Sequence, residues 1–468
     1  MRVLLINPAD PRSPNYVIIP NVGLGFLATA LRRAGHEVEI LDCLRDGLGP
    51  DDLPRRLAGR RYDAIGVTLF SALVGVADRY FAVLRGLYPH ALLAAGGPHP
   101  TFEPADTLRR FPALDLAVIG EGERTLTQLL ASGVDRDALD PPRLRVIPGL
   151  AFRGAAGVET TAPQWLCDDE LTDLPAWDLL QPDRYPLAPN GIFSRGRRVA
   201  PVIATRGCPY GCAFCGARKA MGSQVRCRPA ARVLDEIELL RRDFGVDEIH
   251  FMDDNFSFHA DYVRAISEGL LSRGLRMHWA CPNGLRLDTL DADLLRLMER
   301  SGCYSMAVGI ESGSDRVLTA LGKRLTVDEI RRRIALIKSV TAIRLTGFFV
   351  IGLPFETRAE IEQTIAFACE LPLDRANFFN FSPFPGSRLY DELAAAGELA
   401  GIDVGRLYIH QVVYAPKSMS PAELARLQRR AHRKFYLRPR VLWGLLHEIR
   451  SVTQLRIIVR RAGKLLAG

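Results

Sequence analysis

The chain has 468 residues, 48% of them hydrophobic and 24% charged, with a formal net charge of +8. Such a length holds two or three domains with sizeable cores, and such hydrophobicity excludes a disordered protein. The charge is local: residues 421–468 carry 12 Lys and Arg against 2 Asp and Glu, or +10, which leaves 49 minus 51, or −2, for the rest, so the body of the chain is not a nucleic-acid-binding surface.

The first 130 residues alternate strand and helix. Hydrophobic runs predict strands at 3–6, 37–41, 63–69, 91–95 and 114–119, with helices at 24–34 and near 73–87, 104–110 and 123–132. Repeated strand–helix units imply an α/β fold with a doubly wound parallel sheet. Ligands bind such sheets beyond the carboxyl ends of the strands. The loops there are small and turn-forming: Asn7-Pro8, Phe70-Ser71-Ala72, Gly96-Gly97-Pro98-His99-Pro100-Thr101 and Gly120-Glu121-Gly122-Glu123. The opening Met1-Arg-Val-Leu-Leu-Ile-Asn7 reads as a buried strand, not a signal peptide, and no apolar run approaches a membrane span, so a cytoplasmic protein is expected.

Residues 136–195 are broken by Pro141, Pro142, Pro148, Pro163, Pro175 and Pro182 and read as a connector with a short hairpin strand at 149–153. From Val202 the rhythm resumes. Strands are expected at 202–204, 248–252, 276–281, 304–310, 344–351 and 377–382, with helices near 230–244, 260–273, 291–301, 326–339, 358–370 and 387–396. The last region, 401–468, reads as basic helices. There Val441, Leu442, Leu445, Leu446 and Ile449 recur at helical spacing among Arg450, Arg456, Arg460, Arg461 and Lys464. A cap packed over the second domain is the plain reading, and a peripheral membrane contact is the sharper one.

Nine cysteines show no disulfide rhythm. Six lie far apart and read as small buried hydrophobes, Cys281 and Cys303 among them, although both fall near expected strand ends. The other three form Arg206-Gly-Cys208-Pro-Tyr-Gly-Cys212-Ala-Phe214-Cys215-Gly216, a C-x3-C-x2-C run. Three thiolates this close can hold three corners of a cubic four-iron cluster and leave the fourth iron open. A structural zinc site is the alternative, but zinc knuckles pair C-x2-C with a second such pair, and none follows.

The run resembles the signature of the radical S-adenosylmethionine (SAM) enzymes, with Phe214 as its aromatic position. The resemblance implies a [4Fe-4S] cluster on Cys208, Cys212 and Cys215 whose open iron chelates SAM. It also implies an external one-electron reductant of the flavodoxin or ferredoxin type, and a partial (β/α)6 barrel over 196–400. Reduction would cleave SAM to methionine and a 5′-deoxyadenosyl radical.

Other segments match the family's SAM contacts by position. Asp253 and Asp254 follow the second barrel strand and would hold the methionine amino group, although such a pair also serves as a helix N-cap. Glu311 and Ser312 end the fourth strand, where a carboxylate suits an ammonium or a ribose diol. Gly352 ends the fifth, whose apolar residues would pack against adenine, while Glu356 and Thr357 read as a cap for the next helix. Arg286 would meet the SAM carboxylate or form a surface ion pair.

The N-terminal loops resemble the cobalamin-binding domain fused to one large class of these enzymes, over 1–135. That resemblance implies cobalamin contacts from Ser71, Gly96, Gly97, His99, Gly120, Glu121 and Gly122. The D-x-H-x-x-G motif that ligates cobalt is absent, and the resembling class often lacks it, so a domain that kept its fold and lost its ligand stays open. The whole implies a cobalamin-dependent radical SAM enzyme, a C-methyltransferase acting on an unactivated carbon of a small secondary-metabolite or lipid-like molecule. Radical oxidative cyclisation is the alternative within the class, and an iron–sulfur carrier or sensor with a vestigial B12 fold is the alternative outside it.

Overall fold

A computed structural model describes all residues except 11–17, 134–135, 137–138, 187–193, 404, 406, 408–410, 450–454 and 456–468. Two sheets dominate the fold. The first has seven strands: β1 (Arg2–Asn7), β2 (Glu37–Asp42), β3 (Ala64–Thr68), β4 (Leu92–Gly96), β5 (Leu116–Val118), β6 (Leu150–Gly154) and β7 (Gly157–Thr160). They lie in the order β2-β1-β3-β4-β5-β6-β7, with β1 to β5 parallel and β6 and β7 antiparallel.

Alternation along β1 shows how the sheet is buried on both faces. Val3 and Leu5 pack with Leu24, Ala28 and Leu31 of the helix Val22–Arg33. Leu4 and Ile6 pack on the other face with Val74, Ala77 and Phe81 of the helix Val74–Leu87. The helices that follow β1 and β3 therefore cover opposite faces, and the chain changes face between two adjacent strands. A crevice opens there, at the carboxyl ends of β1 and β3.

The hairpin expected in the connector is present as β6 and β7, and it continues the first sheet. The reason is edge protection: without β6, the amide edge of β5 would be bare.

The second sheet contains β8 (Val199–Val202), β11 (Glu248–Phe251), β12 (His278–Leu285), β13 (Cys303–Glu311), β14 (Arg344–Ile351) and β15 (Arg375–Asn380), with the two-stranded ribbon of β9 (Thr205–Arg206) and β10 (Arg226–Cys227) between β8 and β11 in the chain. The six strands are all parallel and run in the order β15-β14-β13-β12-β11-β8, the partial barrel that was expected. The first strand ends earlier than the hydrophobic run suggested, since β8 covers 199–202. Pro201 fits because β8 is an edge strand that needs no second ladder. Ile249, Phe251, Met306, Val308, Leu345 and Phe349 face outward into the core shared with the helices. At the amino end of the barrel, Glu248 Oε1 accepts from His250 Nε2 at 2.7 Å and from Tyr304 Oη at 2.6 Å, all three buried.

The C-terminal region is helical. Helix Pro421–Tyr436 starts on its Ser420 cap and buries Leu424, Leu427, Ala431 and Phe435. Helix Pro439–Glu448 departs from the expected cap: Val441 is buried, but Leu442 and Leu446 are exposed. The five basic residues expected among these apolar positions, Arg450, Arg456, Arg460, Arg461 and Lys464, lie outside the described residues.

Candidate active site between the two sheets

The three cysteines stand on the loop between β9 and β10. The ribbon pairs Arg206 with Arg226 and Thr205 with Cys227, so both feet of the loop are fixed together. Gly207, at the first foot, has φ +96°, and a Cβ there would stand 2.1 Å from the Gln224 carbonyl oxygen. Only glycine fits. Within the loop, the Cys215 amide donates to the Cys212 carbonyl at 3.0 Å and the Ala213 amide to the Leu321 carbonyl at 2.9 Å. The Ala217 amide points at Cys215 Sγ, 3.5 Å away, a donor that suits a thiolate.

Burial raises all three thiols, Cys215 to about 12, while Lys323 and Arg286 pull Cys212 the other way. Cys215 and Asp254 are both accessible to solvent, yet protein encloses both enough that burial lifts Asp254 to about 6. They face a recess, not the outer surface. Thiols in such a recess ionise when a metal group brings positive charge to them. Among the described residues, no three His, Cys, Asp or Glu side chains stand close enough to hold a single metal ion. A cube gives each thiolate its own iron, and the three cysteines, set on one loop whose feet the ribbon holds together, offer it three corners.

Several expected SAM contacts have other partners. Asp253 Oδ1 accepts from the amides of Ala204 and Thr205 and from Thr205 Oγ1 at 2.7 Å. It ties the end of β11 to the ribbon, and its buried Oδ2 has no hydrogen-bond partner among the described residues. Neither aspartate caps the next helix, whose N-cap is His259. Ser312 turns away from the recess: its Oγ meets Thr364 Oγ1 at 3.0 Å on the helix Arg358–Glu370. Gly352 has φ +80° and lies under Leu424, and its amide donates to Glu356 Oε2 at 2.7 Å. Thr357 caps the following helix as expected, whereas Glu356 closes the Gly352 turn instead. Phe214 packs half-buried against the cluster formed by Val350, Leu353 and Phe381.

Glu311 stays at the recess. It is one of three non-glycine residues with positive φ among those described, at +68°, where β13 slips register against β14. Its carboxylate pairs with the buried Lys323 at 2.8 Å. Backbone strain of this kind costs on the order of 1–3 kcal/mol and persists where the surroundings fix it. Arg286 is buried, not on the surface: it stacks on Tyr210 of the cysteine loop, 3.7 Å from the ring centroid, pairs with Asp288 and leaves Nη1 without a hydrogen-bond partner among the described residues. The buried Nη1 is a donor suited to a carboxylate such as that of SAM. Lys323 carries no sequence signal, because it lies just past the helix Asp315–Leu321 that follows the fourth strand, with no motif around it.

On the first sheet, Ser71 Oγ meets His99 Nδ1 at 3.1 Å, both buried, and His99 Nε2 has no hydrogen-bond partner among the described residues. Burial lowers His99 to about 4, so its ring is neutral. Gly97 has φ +97° and starts the short helix Pro98–Phe102, where a loop was expected. A neutral imidazole with a buried, unpartnered nitrogen, beside a crevice lined by glycines, suits a large flat cofactor. Gly96 ends β4 and Gly120 follows β5, on the same side of the sheet, and a Cβ at Gly122 would press on Leu27 at 3.0 Å.

Glu121 does something else. It is buried and pairs with Arg206 at 3.2 Å and Arg226 at 2.8 Å, and its Oε2 accepts the Leu166 amide at 2.7 Å. Glu123 takes Arg206 as well, at 2.9 Å. An acid of the first sheet thus holds both feet of the cysteine loop. Arg206 and Arg228 enclose the ring of Phe26, and Arg228 forms a fully buried pair with Glu236 at 2.6 Å. Phe102 completes the junction: Cβ atoms at Gly216 and Gly386 would lie 2.9 Å and 2.3 Å from its ring. The helix that carries His99 therefore abuts the residue after Cys215. Cys281 and Cys303 are buried thiols, pushed far up by burial, and take no part.

Comparison with known proteins agrees with this geometry. Residues 202–368 match the Radical SAM superfamily, and residues 16–130 match the B12 binding domain. An uncharacterized methyltransferase of Pyrococcus horikoshii is 31% identical over 450 residues, 94% of each chain. The cytidylyl-2-hydroxyethylphosphonate methyltransferase of Streptomyces wedmorensis is 29% identical, covering 93% of this chain and 90% of its own. The anaerobic magnesium-protoporphyrin IX monomethyl ester cyclase of Cereibacter sphaeroides is 28% identical, covering 90% and 67%. The solved radical SAM methyltransferase TsrM from Kitasatospora setae superposes with a TM-score of 0.67 at 21% identity, covering 93% of this chain and 81% of its own, and shares the fold. The chain belongs to the radical SAM enzymes that carry an N-terminal cobalamin-binding domain, with a [4Fe-4S] cluster, SAM and cobalamin as its cofactors.

Proposed function

We propose that this enzyme is a C-methyltransferase that acts on an unactivated carbon of a small molecule. One observation carries the reading: the loop for the cluster and the strand ends for cobalamin meet at Phe102, against Gly216 and Gly386. Two cofactors that open on one recess can address one carbon. When bound, the cluster and SAM supply a hydrogen-abstracting radical, and cobalamin supplies a transferable methyl group.

The chain's own residues hold and exclude. Cys208, Cys212 and Cys215 ligate, and Glu311, paired with Lys323, accepts from the polar groups of SAM. Arg286 Nη1 and Asp253 Oδ2 offer a donor and an acceptor without competing partners among the described residues. The outward set on β14 is Leu345, Gly347, Phe349 and Ile351, so Thr346, Phe348 and Val350 face into the barrel. Phe348 meets Phe379 of β15 edge to face at 5.3 Å. Apolar walls of this kind favour a substrate with an apolar carbon skeleton and exclude water from the radical step. An external one-electron reductant of the flavodoxin or ferredoxin type supplies the electron.

Turnover with methyl-deuterated SAM tests the reading. A product that gains a labelled methyl group supports transfer. A product that loses two hydrogens and gains no carbon would make the enzyme an oxidative cyclase instead. Production of no 5′-deoxyadenosine at all would leave an iron–sulfur carrier or sensor.

A further inference from the structure

Helix Pro439–Glu448 has two apolar faces. Val441 and Glu448 are buried and Leu445 is half-buried, so this side seats on the barrel. The Glu448 carboxylate meets Arg344 at 3.1 Å and also Arg375, the first residues of β14 and β15. Arg440 reaches towards the Pro372 carbonyl, in the turn that enters β15. The helix therefore covers the amino end of the barrel, a full strand length from the cysteine loop.

The other face is bare. Trp443 is 68% exposed, Leu446 61% and Leu442 41%, with Leu437 at 55% just before the helix. Positions 442, 443 and 446 share one helical stripe. Exposed Arg433, Lys434, Arg440 and His447 surround it, and the one acid of the helix, Glu448, is buried against two arginines. Residues 421–468 together carry 12 basic and 2 acidic side chains. No helix among the described residues is long and apolar enough to cross a membrane.

We propose that this face docks on an anionic bilayer surface. Trp443, Leu442 and Leu446 would enter the headgroup–acyl boundary, with the basic rim on lipid phosphates. Tryptophan and leucine ringed by arginine is the composition such a surface selects. An acidic electron donor fits less well, because it must approach the cluster, and β14 alone sets the two ends about 26 Å apart. The proposal is independent of the reaction.

Co-sedimentation of the full chain with vesicles tests it, using phosphatidylcholine alone or mixed with phosphatidylglycerol. The expected result is binding to the mixed vesicles, roughly tenfold weaker to the neutral ones and roughly tenfold weaker in high salt. Brominated acyl chains should quench fluorescence in the wild type and lose that quenching in Trp443→Phe. The variant L442S/W443S/L446S changes only exposed positions, so it should keep its fold and its iron while vesicle binding drops roughly tenfold. No vesicle binding by the wild type, or equal binding by the triple variant, overturns the proposal. So does a dimer that the triple variant dissolves, which would make the face a contact between two copies.

Discussion

Replacing Glu121 by alanine removes the acid that joins both feet of the cysteine loop to the first sheet. Arg206 and Arg226 are both buried, and among the described residues Arg226 pairs with no acid but Glu121. Breaking a buried ion pair by removing one partner costs about 3–5 kcal/mol, because the remaining charge has neither water nor counter-ion. Glu123 still holds Arg206 at 2.9 Å, which keeps the cost near the lower end of that range. Glu121→Gln keeps the shape and can still accept the Leu166 amide, so about half of that loss is expected. The assay is denaturant unfolding combined with iron and cobalamin content of the anaerobically reconstituted enzyme. Both variants should unfold earlier and hold less iron, alanine more so than glutamine. If Glu121→Ala unfolds like the wild type with full iron, the clamp is refuted. If Glu121→Gln loses cobalamin alone, the residue is a cofactor contact and not a clamp.

Gly207→Ala should abolish most iron incorporation while leaving both sheets folded, since its Cβ cannot coexist with the Gln224 carbonyl in this loop; iron content against circular dichroism checks this. Glu311→Gln should weaken SAM binding roughly tenfold, the effect of losing about 1.4 kcal/mol of charge-assisted hydrogen bonding. Equilibrium binding checks that, and unchanged affinity would make Glu311 structural. His99 should give a pH signature. Its folded value is lowered to about 4 from the ordinary 6.5, so the unfolded chain takes up a proton first as pH falls. Its contribution is present above 6.5 and lost between 6.5 and about 4, on the order of 3 kcal/mol at most. Unfolding midpoints across that window should fall in the wild type and fall less in His99→Gln.

Much of this fold was legible because parallel strands buried on both faces read as plain apolar runs. Leu345 to Ile351 and Leu4 to Ile6 needed no tertiary knowledge. The cysteine spacing was equally local. What stayed hidden were pairings between distant segments. The ribbon of Thr205–Arg206 with Arg226–Cys227 is too short for a periodic signal. Glu121 sits in a glycine-rich loop that looks like a cofactor cradle, and only the fold brings Arg206 and Arg226 to it. Ser312 faces Thr364 across 52 residues, which no motif discloses. Leu442 and Leu446 followed helical periodicity, but periodicity cannot say which of two apolar faces meets the protein.

The most direct test measures 5′-deoxyadenosine from SAM in an anaerobically reconstituted, reduced sample, with iron, sulfide and cobalamin quantified in the same protein. The account predicts one four-iron cluster and one cobalamin per chain, deoxyadenosine from the wild type, and none from Cys212→Ala, which should also lose its cluster. A wild type that carries zinc at these cysteines, or that holds a cluster yet leaves SAM intact, would contradict it.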